Sequence, residues 1–270
     1  MMDSTLLLGI IQGLTEFLPV SSSGHLALAQ IFLGTELPPL SYDLVLHVAT
    51  TLATIVFFFT DIMKYLCEWI SGLFKSDSRE TTGWRVGWAV IAGTFVTGAM
   101  GIAMKSFAEA AGQNSLMVSA GLIFTGSVLL ASHLIKPGAS KICIKHGALV
   151  GIAQGIAVLP GISRSGSTII AALSMGVSKE EAFRFSFLLS IPAILGATLL
   201  QAIEVGGWDA FISSLPSNWY MGAAFSFVTG LISLVLLKKI VISSKWWIFG
   251  VYCLVLGVSV FGYTFLGGWS

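Results

Sequence analysis

Charge is what this sequence lacks. Asp, Glu, Lys and Arg supply 10% of its 270 residues, where soluble domains carry about 25%. With 55% hydrophobic residues and a mean hydropathy of +0.89, its surface is wrong for water, and a polytopic membrane protein is the class that remains. Cysteine is also scarce: Cys67, Cys143 and Cys253 show neither metal-site spacing nor a disulfide framework. The net charge of +1 says nothing about nucleic acid, and no basic run suggests it, so no nucleic-acid partner is expected. The opening MMDSTLLLGIIQG has no positively charged stretch and no small-residue cleavage site, so no removable signal peptide is expected.

What is there is apolar sequence in two kinds of block. A membrane-spanning helix needs about 20 mainly apolar residues, and six stretches qualify: 43–60, 86–104, 116–135, 186–203, 219–237 and 246–266. Two others, 5–34 and 147–177, are apolar but interrupted midway by Pro19 or Pro160, a glycine and clustered serines. Proline ends a helix and pushes the residue before it out of the α region. Each interrupted block therefore reads as two half-helices in a re-entrant hairpin, a backbone tolerated at membrane depth only where protein or a wet cavity satisfies it.

The two interrupted blocks are copies of each other. At a constant offset of 142 and without a gap, Leu7, Gly9, Ile10, Gln12, Gly13, Ser21, Ser23, Gly24 and Gly34 meet Leu149, Gly151, Ile152, Gln154, Gly155, Ser163, Ser165, Gly166 and Gly176. The predicted fold is all-α: one membrane domain over 1–270, with a first repeat at 1–135 and a second at 147–270. Each repeat is a hairpin followed by three spans. Three spans and a non-crossing hairpin invert the second copy, and inverted repeats of broken helices place a site near the midplane where the copies meet.

Basic residues agree with that topology. The loops near 61–85, 136–146, 178–185 and 238–245 hold twelve of them, against Lys105 alone on the opposite side. The positive-inside rule makes the twelve-residue side cytoplasmic. Both termini and the first hairpin then open outward, and the second hairpin opens inward. Trp84, Trp208, Trp219, Trp246 and Trp247 fall where interfacial anchors belong.

Two ionisable residues are left at membrane depth, Glu16 in the first hairpin and Arg164 in the second. Each costs about 2.5–3.5 kcal/mol to insert, so both mark function by default. Gln12 shares a helix face with Glu16. Ser21, Ser22 and Ser23 follow Pro19, and Gly24 and His25 are expected to open the next half-helix, whose free N–H groups and dipole suit an anion. The second hairpin repeats the device with Ser163, Ser165, Gly166, Ser167 and Thr168 and adds the guanidinium of Arg164, a two-point ligand for phosphate. Any single serine reads equally as an N-cap. His25 lies within a helix turn of Ser21 and Ser22. His47, His133 and His146 read as structural histidines, and Asp43 as an N-cap.

These residues carry a resemblance. QGLTEFLPVSSSGH is similar to the E/Q-x-x-x-E plus PVSSTGH signature of the bacterial undecaprenyl-pyrophosphate phosphatases, the bacitracin-resistance proteins. LPGISRSGST resembles that family's PG-x-SRSG signature, and the likeness extends to span order and to FSFLLSIPAILGA at 185–197. One position departs from some members: Gln12 stands where Glu is the alternative, and it cannot be an acid, a base or an anionic ligand. The resemblance implies hydrolysis of undecaprenyl pyrophosphate to undecaprenyl phosphate and inorganic phosphate. That reaction recycles a cell-wall lipid carrier in the bacterial inner membrane, from a cavity open to the periplasmic side.

A pyrophosphate of about −3 beside Glu16, against one arginine, needs added positive charge. A divalent cation held by Glu16 and Gln12 is expected, Mg²⁺ first and Ca²⁺ second. Glu16, Ser22, His25 and Arg164 form the expected catalytic set. Ser21, Ser23, Gly24, Ser163, Arg164, Ser165, Gly166, Ser167 and Thr168 form the expected phosphate cradle. For the nucleophile, Ser22 with His25 taking its proton leads His25 itself, and water activated by Glu16 comes third. The expected partners are a polyprenyl pyrophosphate and the membrane, with a homodimer left open. A transporter or lipid flippase on inverted repeats is the rival from another class.

Overall fold

The computed structural model describes residues 4–33, 40–136, 138–243 and 245–267. Gly34 and both chain ends, which the topology placed outward, lie outside the described residues. Twelve α-helices and no strand are found among the described residues: α1 (Ser4–Phe17), α2 (Ser22–Leu33), α3 (Leu40–Phe57), α4 (Phe59–Phe74), α5 (Thr82–Gly112), α6 (Ser115–Ala131), α7 (Ile144–Ile156), α8 (Arg164–Ser174), α9 (Lys179–Glu204), α10 (Trp208–Ser213), α11 (Trp219–Ser243) and α12 (Trp247–Phe265). Six of these, α3, α5, α6, α9, α11 and α12, are long and apolar enough to cross a membrane. They coincide with the six stretches picked by length. The chain is a multi-pass membrane protein.

Two expectations need correction. The 61–85 segment is not a loop throughout, because α4 occupies most of it. Phe59, Met63, Leu66, Ile70 and Leu73 are exposed at helical spacing, with Asp61, Lys64 and Glu68 between them. An amphipathic helix of this kind has too little mean hydropathy to register as a span. Trp246 is not an interfacial anchor either: it is buried in the main core, while Trp208 and Trp247 are exposed.

Small residues set the helix pairing, as is usual where backbones must approach closely in a membrane. A Cβ on Gly9 of α1 would lie 2.2 Å from the Gly222 carbonyl oxygen of α11, and one on Gly147 of α7 would lie 2.1 Å from the Ala89 oxygen of α5. So α1 lies on α11 and α7 lies on α5, while α3 packs on α9 and α6 on α12. The short helices α1–α2 and α7–α8 sit among these long ones, joined by turns at 18–21 and 157–163.

Hydrogen bonds tie together the two segments that flank each short pair. The Tyr42 hydroxyl of α3 donates to the Thr5 carbonyl of α1 at 2.7 Å. The Ser140 amide, ahead of α7, donates to the Gly176 carbonyl, after α8, at 2.9 Å. The inner end of α1 is anchored by aromatic packing: Phe17 meets the edge of Phe187 at 5.5 Å between centroids, and Phe187 meets Phe183 at 5.0 Å. Glu16, next to Phe17, is thereby fixed between packed helices.

Candidate active site

The two turns meet tip to tip, and reciprocally. A Cβ on Gly24, in α2, would lie 3.0 Å from Gly161 Cα in the other turn, and one on Gly166, in α8, would lie 3.3 Å from Pro19 Cβ. Both distances are tighter than an ordinary Cβ contact, so glycine eases the approach that brings the N-termini of α2 and α8 together. Their local geometry matches too. Ser21 Oγ accepts from the Gly24 amide at 3.3 Å and Ser163 Oγ accepts from the Gly166 amide at 3.1 Å. Ser21 and Ser23 hydroxyls lie 3.3 Å apart, as do those of Ser163 and Ser165. Ser21 and Ser163 are thus N-caps, and α2 begins at Ser22 rather than at Gly24–His25.

Ser22 and Arg164, the first residues of α2 and α8, both reach Glu16. The Ser22 hydroxyl donates to Glu16 Oε2 at 2.6 Å, and Arg164 Nη2 pairs with Glu16 Oε1. Gln12 Nε2, one turn back along α1, donates to Oε2 at 2.8 Å. The carboxylate is 5% exposed and Gln12 is fully buried, so four chain segments converge on one buried anion.

The fourth segment is the one that sequence reading missed. His47, from α3, places Nε2 3.4 Å from Glu16 Oε2, while its Nδ1 faces the Asp43 carbonyl at 2.8 Å. Because a carbonyl only accepts, Nδ1 carries the hydrogen of that bond. A signal was present, a polar stripe of Asp43, His47, Thr50, Thr51 and Thr54 at helical spacing along an apolar span. Asp43 is not an N-cap; it lies inside the first turn of α3.

His25 does not meet the Ser22 hydroxyl. Its Nδ1 faces the Ser21 carbonyl at 2.8 Å and its Nε2 faces the Tyr252 hydroxyl of α12 at 2.7 Å. Among the other cradle residues, Ser165 Oγ donates to the Leu18 carbonyl at 3.3 Å, and Thr168 Oγ1 lies 2.5 Å from Ser186 Oγ. Ser167 is half-buried beside Phe124 and Val128 of α6, in a crevice between α6 and α8. The Ser163 amide is held by Thr125 Oγ1 at 2.9 Å.

Two buried polar atoms at Glu16 have no hydrogen-bond partner among the described residues, Gln12 Oε1 and Arg164 Nη1. One is an acceptor and one a charged donor, so the site can take both a cation and an anion. No group of three or more His, Cys, Asp or Glu side chains gathers to hold a metal among the described residues. The oxygen donors present are those of Glu16 and Gln12, a set that fits a hard cation completed by a ligand's own phosphates.

The family described as bacitracin resistance protein BacA matches residues 5–259. The chain belongs to this family. Relatives called undecaprenyl-diphosphatase include that of Methanosphaera stadtmanae, 39% identical and covering 94% of this chain and 95% of its own length. That of Syntrophotalea carbinolica is 40% identical over 93% of this chain and 95% of its own. That of Treponema denticola is 38% identical over 97% and 98%.

Proposed function

We propose that this chain hydrolyses undecaprenyl pyrophosphate to undecaprenyl phosphate and inorganic phosphate. Its family and the names of its relatives support that reading and do not favour a transporter or flippase. The observation that carries it is the convergence of Ser22 and Arg164 on the buried Glu16. Phosphoryl transfer needs a positioned nucleophile and charge stabilisation more than covalent assistance. Ser22 Oγ attacks the terminal phosphorus, its proton passes to Glu16, and the bond to the bridging oxygen breaks with release of undecaprenyl phosphate. Water then cleaves the phosphoserine, releasing inorganic phosphate, and Ser22 regains its proton. Glu16 takes the part first given to His25, because its carboxylate already accepts the Ser22 hydrogen bond.

Arg164 grips the transferring group through Nη1, which is buried without a partner, and the N-terminal amides of α2 and α8 face the same anion. His47 places Nε2 3.4 Å from Glu16 Oε2; with a hydrogen on both ring nitrogens, as an imidazolium, it holds the carboxylate toward Ser22. Gln12 Oε1 and Glu16 would hold a divalent cation, Mg²⁺ by its oxygen donors. When bound it supplies the positive charge that the pyrophosphate requires.

The same proposal includes the topology. Support for two re-entrant hairpins lies in the bonds Thr5–Tyr42 and Ser140–Gly176, each of which joins one end of a short helix pair to the segment just beyond its other end. The paired approaches Gly24–Gly161 and Gly166–Pro19 support an inverted repeat. At one end of the bundle Arg184 of α9 binds Asp61 at 3.2 Å and Tyr65 at 3.1 Å, both in α4. At the other, Lys105 pairs with Glu204. The basic end is cytoplasmic, the membrane is the bacterial inner membrane, and the Glu16 site is reached from the outer side. The test is phosphate release from undecaprenyl pyrophosphate by purified protein in detergent, with EDTA and with Mg²⁺ restored. Detergent has no compartments, so release there excludes pure transport, and no release with Mg²⁺ present would sink the enzyme reading.

A further inference from the structure

His25 sits one turn from the site yet bonds to nothing in it. Its two ring nitrogens are divided between a backbone carbonyl and a phenol. The Ser21 carbonyl can only accept, so Nδ1 is the protonated nitrogen. Nε2 is then the bare one, and Tyr252 donates its hydroxyl hydrogen to it at 2.7 Å. The two rings lie nearly parallel, at 10° with centroids 5.7 Å apart, so Tyr252 fixes both the ring plane and the tautomer of His25.

What that tautomer holds is the turn before Ser22. Ser21 has φ of +68°, the one non-glycine residue with positive φ among those described. A side chain in this region is strained and persists only where the surroundings over-determine it. Two hydrogen bonds from His25 do so, its backbone amide at 3.1 Å and Nδ1 at 2.8 Å, both to the Ser21 carbonyl. The next residue in the chain is Ser22, whose hydroxyl is aimed at Glu16.

We infer that Tyr252 is a positioning residue, acting through the His25 ring on the Ser21 turn so that Ser22 points at Glu16. His25 itself works here as a donor to backbone rather than as a proton carrier. This rests on the reading of Ser22 as nucleophile.

The discriminating pair is His25→Asn and His25→Gln. The asparagine amide nitrogen overlies Nδ1 and still reaches the Ser21 carbonyl, whereas the glutamine nitrogen overlies Nε2 and does not. His25→Asn should keep at least tenfold more kcat than His25→Gln, at similar KM. Tyr252→Phe keeps the stacked ring and loses the donor. It should lower kcat about tenfold or more with KM unchanged, by analogy with other oriented imidazoles. In a His25→Asn background, which lacks the bare nitrogen, Tyr252→Phe should cost nothing further. Equal losses for the Asn and Gln variants, or a Tyr252→Phe enzyme within twofold of wild type, would overturn the proposal. A readout independent of activity is the ¹⁵N spectrum of histidine-labelled protein, with the His25 signals identified by their loss in His25→Asn. Nδ1 should appear as the protonated nitrogen in wild type, and the two tautomers should mix in Tyr252→Phe. A wild-type protein that releases no phosphate but shows this tautomer would refute the enzyme reading alone; one that hydrolyses but carries its proton on Nε2 would refute this inference alone.

Discussion

Exchanging Glu16 for glutamine replaces one oxygen by an NH₂ group and removes one charge, with little change of shape. The structure says why this is not conservative. Oε2 receives the Gln12 amide at 2.8 Å and the Ser22 hydroxyl at 2.6 Å, with His47 Nε2 at 3.4 Å, and Oε1 receives Arg164. Both oxygens face donors. In either orientation the new NH₂ group meets a donor, and either Arg164 or Ser22 loses its acceptor. Loss of a positioned proton acceptor costs about 10²–10⁴ in rate, or about 2.7–5.4 kcal/mol at 1.36 per decade. Breaking a buried ion pair by removing one partner costs folding about 3–5 kcal/mol, and glutamine, which still offers one oxygen, sets the loss below that range.

The assay is phosphate release at saturating Mg²⁺ together with a thermal melt of each detergent-solubilised variant. Turnover in Glu16→Gln should fall at least a hundredfold while the protein still melts cooperatively. Gln12→Glu is the control: it gives up the amide that Glu16 Oε2 accepts at 2.8 Å but adds an anionic oxygen for the divalent cation, and should remain active with Mg²⁺ present. A Glu16→Gln enzyme within tenfold of wild type would refute Glu16 both as acceptor of the Ser22 proton and as a metal ligand.

Arg164→Lys keeps the charge but loses the planar fork and should lower kcat about 10³-fold; an enzyme within threefold of wild type would reduce Arg164 to a counter-ion. In intact cells a membrane-impermeant maleimide should label Ser217→Cys from outside. Cys67, which is exposed, should label only after permeabilisation, while Cys253 is buried and stays silent; labelling of both loops from one side would end the inverted topology. Gly9→Ala drives a methyl into the Gly222 backbone and should destabilise by about 1–3 kcal/mol, whereas Gly98→Ala, with nothing within 4 Å, should leave the melting temperature unchanged or slightly raised.

How much of this was legible depended on where each signal is stored. The short helix pairs showed themselves because Pro, Gly and Ser interrupt apolar sequence locally. Glu16 and Arg164 stood out because charge at membrane depth is rare and expensive. Helix α4 escaped because its apolar residues form a stripe and not a run. His47 escaped because what matters about it is a partner 31 positions away on another helix, and the polar stripe it belongs to marks a buried face without naming that partner. Tyr252 was beyond reach, one aromatic in a span that also contains Phe249, Phe261 and Tyr263, singled out only when α12 is laid beside α2.

The proposed inverted repeat also explains why there is one site rather than two. At the offset that aligns the hairpins, Glu16 falls opposite Val158 and Ser22 opposite Arg164. The shared framework, meaning the capped short helices, the serine pairs and the glycine contacts, brings the two N-termini together and would serve identical sequences equally well. Two carboxylates at the tips would repel, and two arginines would leave buried cations unpaired. With the carboxylate and hydroxyl on one copy and the guanidinium on the other, the symmetric scaffold holds an asymmetric charge pair. One oxygen of Glu16 faces the hydroxyl and the other faces the cation. The Ser22 oxygen and the Arg164 guanidinium are then held on either side of one carboxylate, which neither short helix pair supplies by itself.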